Sequence, residues 1–122
     1  MTAPTPLFSS LKGDRAFQRL RKGQAGHGKY LSVRVLPSRT AGIRLGIVVS
    51  KKVGKAVTRN RVRRRLKESF RSLLEKPLKP QLTRQGVAAF DVVVVTRPEA
   101  AEATYWQLRG ALEHTLRKAG VL

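Results

Sequence analysis

The chain has 122 residues, 41% of them hydrophobic, and carries 26 lysines and arginines against 7 acidic residues, for a formal net charge of +19. This length and composition suit one domain with a buried core and exclude wholesale disorder. The absence of cysteine excludes disulfides and thiolate metal sites, and no apolar run approaches the ~20 residues that span a bilayer. With no secretory signal at its N-terminus, we expect a cytoplasmic protein without membrane contact.

The positive charge is unevenly distributed along the chain. Residues 1–67 contain 18 lysines and arginines and one acid, a net charge of +17, whereas residues 68–122 contain 8 and 6, a net charge of +2. A charge excess of this size repels itself in the folded state unless a polyanion offsets it. The first part of the chain is therefore predicted to form the surface that binds a polyanionic partner.

The N-terminal quarter of the chain contains one predicted helix. Residues 1–10, rich in proline, threonine and serine, are predicted to be a flexible N-terminal arm, and residues 11–122 a single domain. Asp14 is placed to cap a short helix that runs to about Lys22. The glycine-containing stretch 24–29 is predicted to be a loop or a short irregular strand.

The remaining elements follow from hydrophobic periodicity. Alternating apolar residues predict strands over 30–36 and 43–50, and an almost wholly apolar run predicts a strand over 90–96 that is buried on both faces. Helical spacing predicts amphipathic helices over 56–74 and 104–118. The apolar stripe of the first of these helices consists of Val62, Leu66, Phe70 and Leu73. The order of elements predicts an α+β fold with helices packed on a sheet.

The residues that catalysis by the polypeptide would need are scarce. His27 and His114 stand apart in the sequence, and the acids show neither the spacing of a carboxylate dyad nor that of a metal cluster. Gly54-Lys55 suggests a phosphate loop, but valine and alanine stand where that motif needs glycine and Ser/Thr. Asp91 is a candidate partner for a basic group. We therefore predict no catalytic residue and no metal ligand on the chain.

The segment Lys51–Lys67, KKVGKAVTRNRVRRRLK, has nine basic residues in seventeen and no acid. We call it the basic segment. Lysine and arginine displace counterions from phosphates, arginine binds phosphate in a bidentate manner, and an asparagine can recognise a base edge or a 2′-hydroxyl. The predicted RNA-contacting residues are Lys51, Lys52, Lys55, Arg59, Asn60, Arg61, Arg63, Arg64, Arg65 and Lys67.

Aromatic residues offer stacking surfaces for single-stranded bases. Phe17 and Tyr30 lie close to basic residues in the sequence, and the pattern alone leaves open whether each lines a groove or packs in the core. Trp106, the only tryptophan, is expected to pack against the fold.

The stretch SKKVGKAVTRNRVRRRLKESF, from Ser50 to Phe70, resembles the signature of the bacterial ribonuclease P protein subunit, with Arg59-Asn60-Arg61 at its centre. The runs DRAFQRL, RLGIVVS, FDVVVVTRP and TYWQLRGALEHTLRKAG follow in the order and spacing of that family, so the resemblance covers about residues 10–120. It implies an α-β-β-β-α-β-α fold of the ribosomal S5 domain 2 type, with a four-stranded mixed sheet. It further implies a short strand near 24–28 and a left-handed crossover through the arginine-rich helix.

The resemblance also implies a function. In that family a catalytic RNA with Mg²⁺ bound mainly by the RNA removes the 5′ leader of precursor tRNA, and the protein contacts both RNAs as a monomer in a 1:1 complex. A cleft between the first helix and the sheet takes the leader. The matching cleft positions here are Phe17, Arg21, Tyr30 and Val33. Arg21 and Val33 replace aromatic residues found in other members, so leader binding is expected to depend more on charge.

Two alternatives remain open from the sequence alone. The first is a ribosomal or other structural RNA-binding protein of similar size. The second is a duplex-DNA binder that places the arginine-rich helix in a major groove, although no second DNA-reading helix or dimer seam is recognisable.

Overall fold

A computed structural model of the protein describes residues 7–122. Within that range the chain forms a mixed sheet packed against helices, with short 3-10 turns between them. The elements in chain order are β1 (Phe8–Ser10), α1 (Asp14–Arg19), β2 (Gln24–His27), β3 (Leu31–Pro37), β4 (Gly42–Val48), α2 (Ala56–Leu73), β5 (Thr83–Arg84), β6 (Val87–Thr96) and α3 (Tyr105–Lys118).

The sheet has the strand order β1-β4-β6-β3-β2, and β5 extends it by pairing with the start of β6. Strand β4 is parallel to both β1 and β6, whereas β3 is antiparallel to β6 and to β2. The α+β class and the order α-β-β-β-α-β-α are confirmed by α1, β2, β3, β4, α2, β6 and α3. The left-handedness of the β4-α2-β6 crossover stays a prediction.

Two strands were not predicted, so the sheet has six strands rather than four. The predicted arm is wrong for Phe8–Ser10, which pair with Ile43–Leu45, whereas residues 1–6 lie outside the described part of the chain. The Phe8 ring packs edge-on against Phe70 at a centroid distance of 5.1 Å. Such pairing joins residues far apart in sequence, so local composition does not reveal it.

The main core lies between the helices and one face of the sheet, which carries Leu31, Val33 and Val35. We call this the first face, and the opposite one the second face. The four predicted stripe residues of α2 are each 1% exposed: Val62, Leu66, Phe70 and Leu73. Full burial of an apolar side chain of this size stabilises a fold by about 1.5–3 kcal/mol. The predicted burial of β6 on both faces is confirmed for Phe90–Val94, because β6 is the central strand with neighbours on either side.

The second face of the sheet carries a smaller cluster beneath α1. Leu11, Leu20 and Val93 are buried there, and Phe17 packs against them. A Cβ atom at Gly46 would lie 2.9 Å from the Phe17 ring, so only glycine leaves room for the ring over the strand. The contact between Phe17 and Gly46 therefore fixes how closely α1 approaches the sheet.

The helix starts differ in how they are capped. Thr104 accepts a hydrogen bond from the backbone of Gln107 at 3.1 Å, and the Gln107 side chain accepts one from the Thr104 backbone at 2.9 Å. This capping box satisfies two backbone donors at the start of α3. The predicted cap at Asp14 is wrong, because Gly13 takes the N-cap position of α1 and no side chain bonds there. Asp14 instead lies in the first turn, where its charge is favourable.

Asp91 has the basic partner that the sequence suggested. It lies within β6 with its side chain 5% exposed, and it accepts two hydrogen bonds from Arg44 at 2.8 and 2.6 Å. The hydrogen bond to Asp91 raises the pKa of the Arg44 guanidinium. The pair lies on the second face of the sheet, away from the basic segment, so it satisfies a buried charge rather than forming part of a catalytic group.

Glu113 on α3 collects three cations. Its carboxylate lies 2.9 Å from Arg117, 3.7 Å from Lys76 and 3.8 Å from Arg109. The hydrogen bond from Arg117, aided by the other two charges, lowers the pKa of Glu113. A carboxyl with a lowered pKa in the folded state stabilises the protein at neutral pH, and that stability is lost as the pH falls through the folded-state pKa.

We expect Glu113→Gln to lower the free energy of unfolding at pH 7 by roughly 0.5–1 kcal/mol, because the pairs are partly exposed. Urea denaturation of both proteins should show this difference shrinking towards zero as the pH falls through the lowered pKa of Glu113, where the wild-type carboxyl becomes protonated. A difference that persists undiminished at acidic pH would show that the substitution acts through packing instead.

Candidate nucleic-acid interface

The basic segment begins with a turn that leads into α2. Lys51–Val53 form one 3-10 turn, with Val53 buried at 4% exposure, and Lys55 is the N-cap of the helix. Gly54 joins them at φ 148°, a backbone conformation that favours glycine. The lysines are exposed on a turn that is anchored to the core, so their charges are held close to the helix start.

One side of α2, which we call the outward face, surrounds a shallow groove of about 350 Å³ that is lined by Asn60, Arg63, Arg64, Lys67, Glu68 and Arg71. Arg63 donates a hydrogen bond to the Oδ1 atom of Asn60 at 3.0 Å. This bond occupies the Oδ1 atom of Asn60. The amide NH₂ of Asn60 and the remaining guanidinium donors of Arg63 stay available to other partners. The groove therefore combines four cations and one carboxylate with an amide that suits base edges or hydroxyls.

The opposite flank of the helix is used differently. Arg61 donates to the carbonyl of Ala101 at 3.1 Å, and Arg65 donates to the carbonyl of Ala103 at 2.7 Å. Both arginines are half-buried against the turn that precedes α3. They were predicted to contact RNA, but the structure gives each a carbonyl partner within the fold.

Arg59 and Arg61 each bury an Nε atom that has no hydrogen-bond partner among residues 7–122. Both atoms are buried, so any RNA contact of these two arginines would be made by their terminal guanidinium nitrogens.

The cations of the basic segment have no acidic partner among residues 7–122. The salt bridges in this range join Asp91 to Arg44 and Glu113 to three cations that lie outside the segment. Exposed arginines and lysines that are not neutralised internally gain most from a polyanion, since each contact releases a condensed counterion. The outward face is therefore suited to bind phosphates.

The four residues predicted for a leader cleft are not brought together. Phe17 belongs to the cluster under α1, and Arg21 lies exposed beside that helix with other basic side chains. Tyr30 packs against the main core on the side of the helices. Val33 is 1% exposed in that core, so its prediction as a cleft residue is wrong. Leu31, Val33 and Val35 alternate towards the helices, which turns Arg34 to the other face.

The second face of the sheet instead leaves an apolar strip open beside α1. Val48 and Val95 are direct partners in the β4–β6 pairing, and they are 39% and 42% exposed. Ser32 pairs with Val95 on the neighbouring strand. These residues were not predicted for the site. A signal was present, because Val48 and Val95 are apolar at positions that alternation assigns to the face opposite the main core.

Three other expectations concern single residues. Trp106 was expected to pack, but it is 71% exposed at the start of α3. His27 and His114 are exposed. Across residues 7–122, no three metal-ligating side chains cluster in a way that could hold an ion. In the same range, no helix is both long and apolar enough to cross a membrane.

Fold and surface together define a small α+β protein whose arginine-rich helix is suited to a polyanionic partner. The profile of the family described as Ribonuclease P matches residues 6–120, almost the whole chain. The chain belongs to the ribonuclease P protein family.

Relatives and solved structures agree with this assignment. The chain is 51% identical over 120 residues to the ribonuclease P protein component of Thermus thermophilus, covering 98% of this chain and 65% of the relative. It thus spans about two thirds of the length of the Thermus relatives it matches. Identity to the component of Clostridioides difficile is 34% over 112 residues, with 91% of each protein covered.

The fold is similar to the solved RNase P protein of Staphylococcus aureus, with a TM-score of 0.76 and 31% identity over 94% of this chain and 97% of that one. The RNase P protein from Thermotoga maritima gives a TM-score of 0.65 and 28% identity over 85% and 91% of the two chains.

Substitutions of two adjacent arginines, one on each flank of α2, should change the free energy of unfolding by different amounts. Arg65→Ala removes a charged donor from the Ala103 carbonyl and should lower the free energy of unfolding by about 1–2 kcal/mol. Arg64→Ala, on the exposed outward face, should change it by no more than about 0.5 kcal/mol. Thermal or urea denaturation checks both variants, and equal destabilisation would contradict the division of the helix into two flanks.

Proposed function

We propose that the chain acts as the protein component of ribonuclease P, binding the catalytic RNA and the 5′ leader of precursor tRNA to assist Mg²⁺-dependent endonucleolytic removal of that leader. The observation that carries the proposal is the outward face of α2, where four cations outnumber the single acid Glu68 and the helix is held on the sheet by four buried side chains. The family assignment gives this polyanion surface its RNA partner. We further propose a monomeric protein, in a 1:1 complex with the RNA, in the cytoplasm.

The chain's own contribution is electrostatic and positional. Arg63, Arg64 and Lys67 would neutralise phosphates of the catalytic RNA, and Asn60 would meet a base edge or a 2′-hydroxyl. Mg²⁺, bound mainly by the RNA, would activate the attacking water and stabilise the leaving oxygen. By reducing repulsion between phosphates, the protein would lower the Mg²⁺ concentration that the reaction needs.

The leader would follow the open strip around Val48 and Val95 on the second face of the sheet, which we call the leader strip. Val48 and Val95 offer apolar surface for unpaired bases, and Phe17 borders the strip where it packs on Gly46. Arg34, whose guanidinium donates to the carbonyl of Arg21 at 3.1 Å, adds positive charge on this side. Of the predicted cleft residues, Phe17 and Arg21 are retained in this proposal.

Reconstitution with a bacterial ribonuclease P RNA tests the function. At low Mg²⁺ the complex should cleave precursor tRNA faster than the RNA alone, and the protein alone should cut nothing. Arg64→Ala should weaken RNA binding and reduce the slope of log affinity against log salt by about 1, because one phosphate contact is lost. Arg84→Ala, at an exposed position of β5, removes the same charge outside α2 and provides a control.

Two outcomes would count against this function. Binding without any rate gain would favour a structural RNA-binding protein, the alternative left open by the sequence. An unchanged salt slope for Arg64→Ala would show that the outward face does not meet the RNA.

The leader strip predicts a selective defect. The double substitution Val48→Ala and Val95→Ala should weaken binding of precursor tRNA with a leader several-fold, since apolar and stacking contacts with bases are lost. Binding of leaderless tRNA should be unchanged. Val87→Ala is the matched control, because Val87 is a valine of β6 that is 51% exposed outside the strip. Equal losses for both RNAs would assign the two valines to the fold instead.

A further inference from the structure

A groove on the outside of α3 stands apart from the outward face of α2 and from the leader strip. It has a volume of about 380 Å³ and is bordered by α3 and the loop that precedes β3. Tyr30, which borders it, packs against the main core, whereas Phe17 packs against the cluster on the second face. The groove is therefore on the helix side of the sheet.

Trp106 is the most prominent side chain of this groove. It is the second residue of α3 and 71% exposed, although an indole gains more than most side chains from leaving water. Its ring packs edge-on against Tyr105 at a centroid distance of 5.1 Å and an interplanar angle of 78°. This contact orients the indole without covering it, which is what a ring that receives a planar ligand requires.

The floor of the groove is formed by small residues one turn further along the helix. Gly110 lies four positions after Trp106, on the same side of α3, and a Cβ atom there would meet nothing within 4 Å. Glycine within a helix is unfavourable by about 1 kcal/mol relative to alanine. No contact within residues 7–122 accounts for glycine here, whereas its lack of a side chain keeps the space beside the indole open.

The charge around the groove selects between classes of occupant. The Lys29 ammonium lies 5.3 Å from the centroid of the Tyr30 ring, and His114 is the other titratable residue at the border. Among the residues that the structure describes, no acidic side chain lines the groove. Aromatic rings beside a cation, on a protein of net charge +19, suit a base joined to a phosphate better than an apolar protein segment.

We propose that this groove binds an unpaired nucleobase of the RNA, stacked on Trp106, with Lys29 near the adjoining phosphate. The proposal rests on the proposed function only in that the chain binds RNA. It adds a third contact surface, on the opposite side of the sheet from the leader strip.

Trp106 is the only tryptophan, so its fluorescence reports on this groove alone. The full chain is titrated with single-stranded oligoadenylate and, separately, with an abasic ribose-phosphate chain of the same length. Oligoadenylate should quench the emission in a saturable manner, whereas the abasic chain should bind through charge and leave the emission unchanged. Gly110→Leu, which fills the floor and improves helix propensity, should abolish the quenching.

A labelled oligoadenylate measures affinity in variants without the indole. Trp106→Ala should weaken binding about 5-fold, the lower end of base–aromatic stacking, with the same salt slope as wild type. Trp106→Phe should recover part of the loss, and Val87→Ala should bind as wild type does. Circular dichroism spectra check that each variant is folded.

Several results would overturn the proposal. These are equal quenching by the abasic chain, oligoadenylate binding that leaves the emission unchanged, and emission that depends on protein concentration without RNA while sedimentation shows a dimer. The last result would make the groove an interface between copies. If oligoadenylate binds without changing the emission, the outward face still accounts for RNA binding, and the proposed function stands. A wild-type chain that binds neither probe would overturn both the groove proposal and the proposed function.

Discussion

The contact between the apolar stripe of α2 and the sheet is the constraint on which the interface depends. The helix that carries most of the basic segment also carries four side chains that are each 1% exposed. Their burial stabilises the fold by about 1.5–3 kcal/mol each, whereas exposed like charges are screened within about 8–10 Å at moderate salt. Hydrophobic burial therefore outweighs the mutual repulsion of the cations, and the helix presents them in a fixed arrangement.

Two acidic residues, Asp91 and Glu113, pair with cations that lie outside the basic segment. Asp91 pairs with Arg44 on the second face of the sheet, and Glu113 gathers three cations at α3. Each pair offsets positive charge outside the basic segment. Glu68 is the one acid among the cations of the outward face, so the excess charge there comes from the number of arginines and lysines on α2.

The parts of the fold that were predictable are those whose signals are local. Helical spacing identified α2 and its stripe, and the unbroken apolar run identified β6 as the buried central strand. Strand β1 was missed because its stabilising contacts, with β4 and with Phe70, are distant in sequence. At Val33 two sequence arguments conflicted. Alternation assigned it to the core and the family resemblance assigned it to the cleft, and the structure agrees with alternation.

The roles of individual arginines within α2 were beyond sequence reasoning for a related reason. Arg61 and Arg65 differ from Arg64 only in which side of the helix they occupy. The carbonyls that bind them, of Ala101 and Ala103, belong to a turn about 40 residues further along the chain. A residue count therefore overstates how many cations of the segment are available for phosphate contacts.

This distinction has a consequence for the strength of RNA binding. Counterion release scales with the number of phosphates that are neutralised, not with the number of basic residues in a segment. Nine cations lie between Lys51 and Lys67, but two of them already donate to carbonyls within the fold. The arginines that tie α2 to the turn before α3 keep the helix in place, and the remaining cations supply the salt-dependent part of the affinity. Rigidity and charge are thus provided by different flanks of one helix.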